Sequence, residues 1–204
     1  MPHLLTVPRR LSAVLAVVVL AALALTATTV QAKPKAASKV VGESTTFTLA
    51  PAVKDRLDTL GITLGVVAPA TQSGPGSATF PITKLRGPVH RLRGVIHHSG
   101  ALTLTRGERT VSLSRVVIVA NGRRGYATAR VGQRRVRVFR LTGPKRSVEG
   151  SKVSLTVDLR LTSQGARWLN RRLPAADLER GLLLGSATII GTLASSSQYT
   201  DPLG

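Results

Sequence analysis

The sequence predicts a mainly β domain, an antiparallel sandwich or barrel-like fold, with two short α-helices. Three observations carry that prediction. Val153, Leu155, Val157, Leu159 and Leu161 alternate with Ser154, Thr156, Asp158 and Arg160, the period of a strand with one wet face. Short apolar runs recur between turn signals at Ser73-Gly74-Pro75-Gly76, Arg106-Gly107, Asn121-Gly122 and Gly143-Pro144. Helical spacing is confined to two stretches.

Taken in order, residues 1–32 read as an export signal. Arg9 and Arg10 precede an apolar run from Leu11 to Thr26, and Val30-Gln31-Ala32 is a small-x-small cleavage site. That run is shorter than the roughly 20 residues a spanning helix needs, so no transmembrane span is expected once it is removed. Residues 33–42 form a basic linker, 43–190 the β-rich domain and 191–204 a polar tail. The expected strands are 45–49, 78–83, 91–98, 101–105, 110–120, 125–131, 134–142 and 152–161. Residues 182–190 are almost wholly apolar, which predicts a strand buried on both faces. The first helix, 51–60, has Pro51 at its first position, Val53, Leu57 and Leu60 on one face, and Gly61 as its stop. The second, 163–173, starts at a Thr162/Ser163 cap, carries Ala166, Leu169 and Leu173 on one face, and meets Pro174. Phe47, Leu49 and Leu57 match Leu159, Leu161 and Leu169 at a constant offset, the mark of a strand–helix–strand duplication of 45–66 in 157–186.

Composition removes several function classes. With no cysteine among 204 residues there is no disulfide, thiolate metal site or cysteine nucleophile. The formal net charge is +20, and from Lys84 to Arg146 there are 16 Lys and Arg against one acid, Glu108. Solvated outer strand faces are the plain reading of that excess, and a polyanion-binding face the sharper one. Arg91 and Arg93 are expected to share one strand face, and Arg135 and Arg137 another, with Arg134 and Arg140 beside them. A guanidinium is a rigid fork of donors suited to phosphate and carboxylate. For an exported chain the expected partner is an anionic cell-surface polymer or lipid headgroups. Aromatic residues make up 3% of the chain, too few to stack successive bases, so no specific nucleic acid is expected.

His90, His97 and His98 cluster within nine residues. On a regular strand His97 and His98 face opposite ways, and His90 is too distant to complete a metal site, so no metal is expected. A histidine hydrogen-bonded at a strand end is the plain reading. One imidazole is nevertheless enough for an axial haem ligand. The sequence has no nucleophile elbow, P-loop or His-Glu-x-x-His, and the acids Asp55 and Asp58, or Asp177 and Glu179, read as solvated charge rather than a catalytic pair. No enzymatic activity is expected.

The run Gly94-Val95-Ile96-His97-His98-Ser99-Gly100-Ala101-Leu102-Thr103-Leu104, followed by the strand from Val111 to Val119, resembles the β core of the HtaA-domain family, over about residues 88–131. Those are exported actinobacterial proteins, some of which bind haem. The family's tyrosine-bearing N-terminal segment has no counterpart here, where the tyrosines are Tyr126 and Tyr199. The resemblance implies an exported β domain. The expected function is a non-enzymatic surface or extracellular domain that binds an anionic ligand through its arginine face. The alternative is a haem-binding surface module with His97 or His98 as ligand and Tyr126 as partner.

Overall fold

The computed structural model describes residues 39–88, 91–122 and 124–194; the export signal, His90 and the last ten residues of the expected tail lie outside them. In chain order the elements begin with β1 Lys39–Leu49, α1 Pro51–Thr59, β2 Thr63–Val67, β3 Thr71–Gly74, β4 Ser77–Arg86 and β5 Arg93–His98. They continue with β6 Ala101–Arg106, β7 Arg109–Asn121, β8 Arg124–Val131, β9 Arg134–Glu149, β10 Lys152–Leu161, α2 Ser163–Arg172 and β11 Leu183–Ala194. Among the described residues no helix is long and apolar enough to cross a membrane.

Alternation gives each strand one face to bury, and eight strands bury theirs together by closing into a barrel. The order is β1-β11-β10-β9-β8-β7-β5-β4, with β4 paired back onto β1 and every pairing antiparallel. Strand β7 is long enough to serve two partners on one edge: its first half pairs with β6 and its second with β5. The exchange happens at a bulge where Arg115 adopts a left-handed φ of 47°. Outside the ring, β2 extends the sheet from β6, and β3 pairs with β4.

Both helices close one end of the barrel. Val53 and Leu57 of α1 and Leu169 of α2 meet Phe47, Phe139 and Leu184 in one apolar layer. The Thr162 hydroxyl caps α2, accepting from the Gly165 N–H at 2.9 Å while donating to the Arg137 carbonyl at 2.6 Å. The helix is thereby fastened to β9.

Several expectations need correction. Residues 39–42 are not linker and 191–194 are not tail: they pair with each other as the ends of β1 and β11. Strand β11 is buried on one face only, because its outer face is barrel wall; Ala187 and Ile189 point in, Thr188 and Ile190 out. Gly143-Pro144 does not end β9, which continues to Glu149 by bulging opposite Val157. Arg91 lies in the turn before β5 rather than on it. The duplication also falls: β10 pairs with β11, whereas β1 does not pair with β2, which joins β6 instead.

Candidate functional site

The outer wall formed by β5, β7, β8 and β9 collects most of the predicted residues. Ile96, Ile118, Ala127 and Phe139 are in register across these strands and are all buried, which fixes the inward face. The rows on either side of that one therefore face out. One is His97, Val117, Thr128 and Arg137; the other is Val95, Val119, Tyr126 and Arg140.

A bulge decides which arginines share this wall. Strict alternation from Arg135 and Arg137 would turn Arg140 inward. Instead Val138 and Phe139 are both buried, the register shifts opposite Ala127 and Thr128, and Arg140 emerges beside the other two. Arg134, Arg135, Arg137 and Arg140 are all exposed. The Arg137 guanidinium lies 3.9 Å from the centre of the Tyr126 ring, a cation–π contact that covers the ring. Arg135 donates to the Thr128 hydroxyl at 3.0 Å and to the Arg115 carbonyl at 3.4 Å.

Two further arginines belong to this group. Arg130 is directly opposite Arg135, and Arg160 directly opposite Arg140. Their signal was period two: Arg130 continues the outward series Tyr126 and Thr128, and Arg160 sits at a wet position of the clearest strand in the chain. Arg91 and Arg93 are not brought here. Arg93 is level with Asn121, one outward step beyond the row of Val95 and Arg140, so it lies on the order of 20 Å along the strand direction from Arg135 and three strands, about 14 Å, across the sheet from β9.

The two adjacent histidines have opposite surroundings. His97 faces out beside Val117, and among the described residues its ring makes no hydrogen bond. His98 is 6% exposed and points into the barrel. Its Nδ1–H donates to the Val116 carbonyl at 3.1 Å, so Nε2 is the acceptor for the Thr45 hydroxyl at 2.8 Å. The bulge at Arg115 is what turns the Val116 carbonyl inward. Phe80 meets the ring edge-on at 6.5 Å. Burial pushes the His98 pKa down to about 4; the hydrogen bond to Val116 opposes that shift, and His97 adds to it. A cavity of about 50 Å³ beside it is lined by Phe47, Phe80, Leu102, Ile118 and Ala127, with no charged group.

His98 is therefore a structural histidine with both ring nitrogens engaged, and cannot reach a ligand in this state. For a haem the residues that fit are His97, as the outward imidazole, with Val95, Val117 and Val119 as apolar neighbours; Tyr126 lies under Arg137. Among the described residues no three His, Asp or Glu gather to hold a metal. Of the acids on α1, Asp58 is paired with Lys54 at 2.6 Å.

No protein-family model matches the chain, and no curated protein matches it in sequence. Solved structures do resemble it. The C-terminal domain of HtaA from Corynebacterium glutamicum superposes with a TM-score of 0.59 at 15% identity, covering 76% of this chain and 99% of that one. The N-terminal domain of the same protein gives 0.55 at 13% identity, covering 77% and 99%. A domain-swapped dimer of a C-terminal-domain variant gives 0.51 at 16%, covering 70% and 91%. The chain thus has the fold of the HtaA domains, and the stretch that resembles them in sequence forms the wall from β5 to β8.

Proposed function

We propose that this chain is an exported, non-enzymatic β-barrel domain that binds an anionic partner at the cell surface through the arginines of β8 and β9. One observation carries the reading. Among the described residues only Asp58 and Asp177 lie within 4.0 Å of a Lys or Arg nitrogen, and both pair with α1. The arginines of the wall therefore have no internal carboxylate, and their charge is free for a ligand. Retention on an anionic matrix should weaken steeply as salt rises. Reversal of two contacts, Arg135→Glu with Arg137→Glu, should weaken retention at least about tenfold at fixed salt. Unchanged retention rejects the arginine wall as the binding face.

A second reading is haem capture, supported by the HtaA-domain fold and by the outward position of His97 on the same wall. His97 would hold the iron, which supplies the binding chemistry, and the valines beside it would cover part of the porphyrin. Titration with haem should then give a saturable Soret shift that His97→Ala abolishes and His98→Gln leaves in place. Loss on His98→Gln alone, or no shift at all, removes His97 as the ligand.

A further inference from the structure

We infer that the partner of this wall is a linear phosphate polymer lying lengthwise along β9, rather than a single small anion or a lipid surface. The inference rests on the anion-binding reading above.

Arg135, Arg137 and Arg140 project from one side of one strand, where alternate residues are about 6.7 Å apart. Arg130 doubles the charge at one end of this row and Arg160 at the other. Like charges directly opposite each other on a sheet are destabilising, and among the described residues no carboxylate lies within 4.0 Å of either pair. Five guanidinium groups thus stand in a row too long for one phosphate to span. Past Arg140 the track is interrupted at half-buried Thr142, opposite Asp158, before exposed Lys145 opposite Thr156.

Four of the five guanidinium groups are also held in place before any ligand arrives. Arg130 donates to the Gly132 carbonyl and the Gln133 side chain, and Arg160 to the Gly181 carbonyl. Arg135 is held by Thr128 and Arg137 by Tyr126. Each group has five N–H donors; among the described residues Arg130 and Arg135 each make two internal bonds, Arg160 one, and Arg137 and Arg140 none, so the rest remain for oxyanions. Fixing the donors in advance lowers the ordering cost of binding.

Shape favours a thread over a plane. The wall of a closed barrel is convex, so a flat bilayer would meet only part of the track. Bases are not needed either, since Arg137 already covers Tyr126, the aromatic ring on this part of the wall.

The test compares inorganic phosphate, tripolyphosphate, long-chain polyphosphate, phosphatidylglycerol vesicles and a single-stranded oligonucleotide on the purified protein. Affinity should rise at least about tenfold from inorganic phosphate to the long chain. For five contacts the slope of log affinity against log salt should be about −3.5, which is about a hundredfold loss from 50 to 200 mM salt. Arg137→Gln with Arg140→Gln should bring the slope to about −2, whereas Arg91→Gln with Arg93→Gln should leave it unchanged. If phosphate and vesicles bind and the β9 variants weaken them, but chain length has no effect, the polymer is overturned and the anion site stands. Tighter binding of the oligonucleotide than of polyphosphate also overturns it, in favour of base recognition. If no anion binds, both readings fall together.

Discussion

Acidification should destabilise this protein by about 3 kcal/mol through His98 alone. The ordinary pKa of histidine is 6.5, and in the folded barrel His98 is held down to about 4. Between those values the unfolded chain takes up a proton that the folded barrel refuses, so protons favour unfolding. The stability present above pH 6.5 should fall by about 1.4 kcal/mol per pH unit and level off once pH passes below about 4. Structure explains the refusal. Nδ1 already donates to Val116, and Nε2 accepts from Thr45, so a second ring proton would have to turn the Thr45 hydroxyl round to accept it and would leave a positive charge buried. No carboxylate lines the cavity to offset the charge. Denaturant midpoints measured across this range should show the slope in the native chain and in His97→Ala, and lose most of it in His98→Gln. A slope that persists in His98→Gln would assign the acid sensitivity to other groups.

That histidine also marks how far the sequence could be read. Alternation shows that His97 and His98 must face opposite ways. It does not show which faces in, because each has an apolar companion two residues earlier, Val95 or Ile96. The choice is made by β7, whose bulge presents the Val116 carbonyl to the inner ring. Strand β10 was legible because nothing interrupts its period, and α2 because Thr162 and Pro174 bracket it. Strand β2 was suggested only by the supposed duplication and β3 not at all, because both are short and carry little apolar alternation. The arginine wall was half visible. Arg135 and Arg137 follow simple alternation, but Arg140 joins them only through the bulge at Val138 and Phe139, and Arg130 and Arg160 only through the pairing of separate strands. Arg91 and Arg93 were grouped with them by charge, and charge says nothing about where a strand lies in a barrel.

Gly185→Ala should be among the most damaging single methyl additions to the barrel. A Cβ at this position would sit 2.0 Å from the Thr48 carbonyl oxygen and 2.9 Å from the Leu49 Cα, both backbone atoms of β1. A flexible side chain could turn aside, but a backbone held in a ladder cannot. Gly185 pairs with Leu49 on one side and Leu159 on the other, and the register of β10 shifts immediately beyond it. The next residue back, Leu184, accepts the Ala50 N–H that ties β11 to the start of α1. Making room would therefore separate β1 from β11 just where both helices close the barrel. The expected loss is at least about 4 kcal/mol, or a fall in Tm of about 10 °C or more for a chain of this size. Gly150→Ala is the comparison that isolates the cause. Gly150 has a left-handed φ of 58°, but nothing lies within 4 Å of its added Cβ. It should lose only the conformational cost, about 1 kcal/mol. If the two variants melt together, close approach of the strands at Gly185 is not what demands glycine there; if Gly185→Ala fails to fold while Gly150→Ala does, contact between β1 and β11 is the requirement.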